Sequence, residues 1–92
     1  MSRVKRFVDA NVFCRADGRR FPVMVRVKGR DYVVDSVVRV KNVGRNEHGE
    51  VLQYDVKIKG KETYIYESNG RWFVRIKQED DEDWDGTFQR RN

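Results

Sequence analysis

The stretch from residue 51 to residue 77, VLQYDVKIKGKETYIYESNGRWFVRIK, decides the fold. Over residues 51–59, Tyr54, Val56 and Ile58 alternate with Asp55, Lys57 and Lys59, and a period of two places apolar groups on one face of a strand. Gly60-Lys61 turns the chain into Thr63-Tyr64-Ile65-Tyr66. Asn69-Gly70 tolerates positive φ at both positions and predicts a two-residue hairpin. Beyond it Trp72, Val74 and Ile76 alternate with Phe73, Arg75 and Lys77. Helical spacing is nowhere sustained, so three antiparallel strands joined by tight turns are the starting point.

The same pattern extends toward the N-terminus. Residues 6–14 set Val8, Ala10, Val12 and Cys14 on one face and Phe7, Asp9, Asn11 and Phe13 on the other, before a turn at Asp17-Gly18. Residues 21–28 alternate Val23, Val25 and Val27 with Met24, Arg26 and Lys28; Pro22 lacks an amide donor, which predicts a sheet edge at that end. Lys28-Gly29-Arg30-Asp31 closes a hairpin into a long segment, residues 32–43, whose parity breaks at Ser36. A bulge or sharp bend near Asp35-Ser36 accounts for the break. Residues 44–50, with Arg45-Asn46-Glu47-His48-Gly49, read as an exposed polar loop. The sum is an all-β domain: a small antiparallel barrel or half-open roll of about six strands, of SH3-like or OB-like size.

Composition divides the 92 residues into a basic body and an acidic tail. Residues 1–77 carry 18 Lys and Arg against nine Asp and Glu, a charge of +9, whereas residues 78–92 carry two Arg against six acidic residues, a charge of −4. The expectation is one basic β domain over residues 1–77 and a disordered acidic segment over residues 78–92, where like charges repel and little apolar surface can be buried. No apolar run is long enough for a leader or a membrane span, so no membrane partner is expected. The lone Cys14 excludes an internal disulfide and suggests a reducing, cytoplasmic setting.

Chemistry-bearing constellations are sparse. Hydrolytic or transfer enzymes need a nucleophile with a base in reach or paired carboxylates. Here the single His48 sits in a Gly-flanked polar stretch, and Cys14 continues the inward parity of its strand as a buried thiol. The glycines stand singly at turns, and Asp80-Asp81-Glu82-Asp83 lacks the folded loop a hard cation requires. No catalytic residue, no metal and no cofactor are expected.

The outward parity of the strands is richer. If Val25, Val27, Val38, Val40, Val56, Ile58, Val74 and Ile76 point inward, then Arg26, Lys28, Arg39, Lys41, Lys57, Lys59, Arg75 and Lys77 point outward, with Tyr64, Tyr66 and Phe73 on the same surface. Cations that follow phosphates beside rings that stack under bases suit nucleic acid. Alternating Lys or Arg with Val is equally the signature of any solvated antiparallel sheet, and edge lysines also prevent aggregation. The expectation is a non-enzymatic binding module with nucleic acid as ligand. The alternative is a protein-interaction adaptor that uses a sheet edge or the tail residues Trp84 and Phe88.

Asp17-Gly18, Pro22, Gly29-Arg30-Asp31-Tyr32-Val33-Val34-Asp35, Tyr54-Asp55-Val56-Lys57-Ile58 and Arg71-Trp72-Phe73-Val74 together resemble a group of short bacterial β-domain proteins of unknown function. The pattern is also loosely similar to a small β domain encoded beside Y-family DNA polymerases. Over residues 6–77 the resemblance implies a bacterial origin and a barrel-like fold, and it transfers no catalytic or binding residue.

Overall fold

The computed structural model describes residues 3–77. It contains β1 (Arg3–Cys14), β2 (Arg20–Val27), β3 (Arg30–Val33), β4 (Ser36–Asn46), β5 (Gly49–Ile58), β6 (Lys61–Ser68) and β7 (Arg71–Lys77), and no helix among the described residues. The acidic segment 78–92, with Trp84, Phe88 and the disorder expected there, lies outside the described residues.

All seven strands belong to one antiparallel sheet in the order β3-β2-β1-β7-β6-β5-β4. Its two end strands, β3 and β4, are neighbours in the chain, separated only by Val34 and Asp35. That link spans about 11 Å, because consecutive Cα atoms are ~3.8 Å apart. Seven strands laid flat would hold their outer members about 29 Å apart at ~4.8 Å per step. The connectivity therefore forces the sheet to curl, and the molecule is a half-barrel. The Val34 N–H donates to the Val23 carbonyl at 3.0 Å and the Asp35 N–H to the Lys57 carbonyl at 2.7 Å, which fastens the corner to β2 and to β5. This corner is the break foreseen near Asp35-Ser36, and it divides residues 32–43 into two strands, which makes seven instead of about six.

Three hairpins have a left-handed residue followed by a left-handed glycine: Lys28-Gly29 (φ 55° and 81°), Lys59-Gly60 (56° and 77°) and Asn69-Gly70 (53° and 81°). Positive φ at both central residues is the type I′ arrangement, whose twist matches that of the flanking strands. Pro22 stands where β2 runs past the residues that pair with β3 and lies next to a bulge at Val23 of its own strand, opposite Val12 of β1, so its missing N–H breaks no regular ladder.

The inner face carries the core. Val25, Val27, Val56, Ile58, Val74 and Ile76 are buried as their parity predicts, together with Tyr32, Tyr54, Ile65 and Trp72. Val38 and Val40 depart from that expectation, being 52% and 41% exposed. The register of β4 on β5 slips between Val37 and Arg39, so Val37 packs against the core in place of Val38. Val40 keeps inward parity opposite Tyr54, but β4 is an edge strand with no strand beyond it among the described residues. Of residues 44–50, read as an exposed loop, Glu47-His48 form the exposed two-residue turn, whereas the rest continue the β4–β5 ladder through Gly44↔Val51, Arg45↔Glu50 and Asn46↔Gly49. They are polar because this end of the hairpin meets water on both faces. Cys14 keeps inward parity too, yet at the open end of β1 the thiol is exposed.

Candidate nucleic-acid interface

The convex outer face is built by cross-strand register. Phe7 of β1 pairs with Phe73 of β7, Phe73 with Tyr66 of β6, Tyr66 with Gln53 of β5 and Gln53 with Lys41 of β4, a single row across five strands. Beside it Lys5 pairs with Arg75, and Tyr64 with Asp55, which in turn pairs with Arg39. These side chains share a face because each stands an even number of residues from its neighbour along its strand.

Rings meet along this row. Tyr66 stacks on Phe73 with centroids 5.2 Å apart and planes 9° apart, Phe7 meets Phe73 edge-on at 5.7 Å, and Tyr64 meets Tyr66 edge-on at 6.5 Å. Cations lie over the same rings. The Lys5 ammonium is 4.7 Å from the Phe73 centroid, the Arg71 guanidinium 3.9 Å from that of Phe7, and the Arg75 guanidinium 5.0 Å from that of Tyr66. The negative ring face attracts each cation by roughly 0.5–1 kcal/mol at an exposed site. Such a contact holds a cation in place without neutralising it. Among the described residues Lys5, Arg71 and Arg75 have no carboxylate within salt-bridge distance.

Burial alters the role of the rings. Phe73 is 1% and Tyr66 8% exposed, so both are the floor of the face beneath Lys5 and Arg75 and neither is an open platform for a base. Phe7, at 43%, and the half-buried Tyr64 are the rings that reach solvent. The surface is a carpet of cations seated on aromatics, with ring edges between them.

Of the residues singled out in the sequence, Tyr64, Tyr66, Phe73 and Arg75 come together here, and Lys41 marks the far end of the row. Lys77 pairs by its backbone with Arg3, and its side chain lies outside the described residues. Arg39 shares the face but is committed: its Nε and Nη2 donate to one oxygen of buried Asp55 at 3.1 and 2.9 Å, while Gln53 donates to the other at 2.7 Å. Lys57 lies exposed toward the β5–β6 turn, opposite Glu62. The remaining three fall elsewhere. Arg26 is on β2 and donates to Asp31 at 2.7 Å, a contact that raises the guanidinium pKa and lowers that of the carboxyl. Lys28 and Lys59 occupy hairpin turns, with the Lys59 ammonium 5.5 Å from the Tyr32 ring.

Lys5, Phe7 and Arg71 were not among the residues singled out. Their parity was readable, since Phe7 opposes the Val8 face and Arg71 shares parity with Phe73 and Arg75. What places them together is the β1–β7 pairing, Phe7↔Phe73, which joins residues 66 apart and has no local signal.

Among the described residues no second cluster of titratable groups forms a free catalytic pair. A depression of about 480 Å³ is lined by Arg20, His48, Glu50, Glu67 and Gly70, but the carboxylate within reach of the His48 imidazole is Glu47, exposed and 3.5 Å away. Buried Glu67 is already held by Arg20 Nη2 at 2.7 Å and by the Gly70 N–H at 2.8 Å. No group of three or more metal-ligating side chains occurs among the described residues. Comparisons of the chain with protein families, with curated proteins and with solved structures gave no match.

Proposed function

We propose that this protein is a non-enzymatic binding module of a reducing cytoplasm that holds nucleic acid on the outer face of β1, β7 and β6. The observation that carries this reading is the seating of Lys5, Arg71 and Arg75 over rings in place of carboxylates. A cation already paired with a carboxylate gains little from a phosphate, whereas one held by a ring keeps its charge for it. With Phe73 and Tyr66 covered, phosphates supply the affinity, and a base can meet Phe7 or Tyr64 only at the margin. Binding on these terms is insensitive to sequence.

The test is fluorescence anisotropy of labelled single- and double-stranded oligonucleotides with the full chain across a salt series. Three phosphate contacts give a slope of log affinity against log salt of about −2 for single strands and about −3 for duplex. Arg71→Glu with Arg75→Glu abolishes binding while retaining the wild-type melting transition, and Arg26→Glu, on β2, leaves most of it. Absence of binding at about 50 mM salt, where phosphate contacts are strong, overturns the proposal.

A second reading, a protein-interaction adaptor, is favoured by one observation. The edge strand β4 exposes Val38, Val40 and Val43 beside a backbone edge that no strand pairs among the described residues. Its two register slips bend that edge and shorten any run a partner strand could match. Capture of one partner that is lost on Val40→Lys and kept on Arg71→Glu would favour this reading over the first.

A further inference from the structure

We infer that the acidic segment 79–85 of the chain occupies the same outer face when nucleic acid is absent, as a polyanion built into the protein. The inference rests on the proposed role of that face and names what competes for it.

Charge is the first argument. Lys5, Arg71 and Arg75 lack carboxylate partners among the described residues. Six residues of the segment, Glu79, Asp80, Asp81, Glu82, Asp83 and Asp85, are acidic. Like a nucleic acid strand, the segment presents closely spaced negative charge with an aromatic group, Trp84, among it.

Position and length are the second. β7 ends at Lys77 beside Arg3 on β1, at the end of the face from which Lys5 and Arg75 are the next pair inward. From Lys77 back to Arg71 is about 20 Å of strand at ~3.3 Å per residue. Residues 78–85 extend to about 27 Å at ~3.4 Å per residue. Two residues spent in reversing direction leave a run of about 20 Å, enough to lay acidic groups from Arg75 and Lys5 to Arg71, with Trp84 level with the exposed ring of Phe7. The attachment point makes the contact intramolecular, at an effective concentration in the mM range for a short connection.

The face has rivals as an occupant, and one experiment separates them. Amide chemical shifts of the full chain are compared, without nucleic acid, with those of a full-length variant carrying E79Q, D80N, D81N, E82Q and D83N. The expected result is a shift at Lys5, Phe7, Arg71, Phe73 and Arg75. Wild-type shifts at those positions move toward the variant's as salt rises to about 0.5 M, where charge interactions are screened within a few ångströms. Differences confined to residues 77–92 overturn the inference. Differences that grow with protein concentration also overturn it, because the segment then comes from a second copy.

Oligonucleotide affinity is measured on the same two proteins. The neutralised variant binds roughly tenfold more tightly at low salt if three exposed ion pairs of ordinary strength are relieved. Face shifts without binding by either protein refute the nucleic-acid proposal and leave the contact standing. Binding by both proteins with unshifted face amides does the reverse.

Discussion

Two residues carry conformational and electrostatic costs visible at their own scale. Lys28 occupies the first position of a type I′ turn at φ 55°, a conformation that costs an L-residue with an ordinary side chain roughly 1–2 kcal/mol. Asn69 fills the equivalent position of the β6–β7 turn, where its short amide tolerates the same geometry. Lys28→Asn is therefore expected to stabilise the protein by about 0.5–1 kcal/mol, measured as a higher urea midpoint at unchanged slope; an unchanged midpoint would show that lysine bears no cost there. Tyr54 is buried in the core, and its hydroxyl donates to the Arg20 carbonyl at 3.1 Å. Burial, and then the negative charge of Glu67, raise its pKa above the ordinary phenol value, while Arg20 acts in the opposite direction. The folded state thus holds the phenolic proton more tightly than the unfolded chain does. Its contribution is complete below pH ~10, where the unfolded phenol begins to titrate, and is lost as pH rises through the folded value. Melting temperature should fall more steeply above pH ~10 in the wild type than in Tyr54→Phe. That variant loses one hydrogen bond, about 1 kcal/mol, at neutral pH. Parallel pH profiles for the two proteins would refute the assignment to Tyr54.

Among the elements, β5, β6 and β7 were legible almost residue by residue, because each alternates without interruption and each connection is a two-residue turn. β4 was not. Its apolar residues at 38, 40 and 43 suggest a buried strand, but slips between Val37 and Arg39 and between Asn42 and Gly44 each insert a residue and reverse parity beyond the slip. A bulge of this kind has no fixed residue signature, so Val37 and Val38 could not be told apart in the sequence. The structure separates them: Val37 packs against the core and Val38 faces water. Val38→Lys is expected to change stability by less than about 0.5 kcal/mol and, by charging the edge, to lower light scattering on heating. Val37→Lys should cost about 1–2 kcal/mol. Equal costs for the two would mean that the register slip does not govern this strand. The candidate interface was legible in the same divided way. Tyr64, Tyr66, Phe73 and Arg75 of the β6–β7 hairpin were found because local turns bring them together, and Lys5, Phe7 and Arg71 were missed because only the β1–β7 closure across most of the chain makes them neighbours.

For the molecule as a whole, curl is dictated by connectivity, but the order of strands that demands it is a long-range property without sequence periodicity. β3 and β4 do not pair with each other, so the half-barrel is held closed by the backbone bonds of the Val34-Asp35 corner and by side chains that cross its open end. Arg20, at the start of β2, reaches Glu67 near the end of β6 at 2.7 Å, and its carbonyl takes the Tyr54 hydroxyl of β5. The Glu67 carboxylate is buried, whereas the Arg20 side chain is half in solvent, which moderates the strength of the pair. Removing the arginine alone leaves a buried charge with the Gly70 N–H as its remaining hydrogen-bond donor among the described residues. Arg20→Met should therefore cost about 1–3 kcal/mol, below the usual 3–5 for a fully buried pair. Arg20→Met with Glu67→Gln should recover at least half of that, since the Gln carbonyl still accepts from Gly70 and no charge needs a partner. The measurement is a double-mutant cycle from urea unfolding of the wild type, both single variants and the double. A coupling near 1 kcal/mol makes the ion pair the fastening between β2 and β6. Strict additivity would transfer that role to the Tyr54 hydrogen bond and the Val34-Asp35 corner, the two other contacts that draw the sheet round on itself.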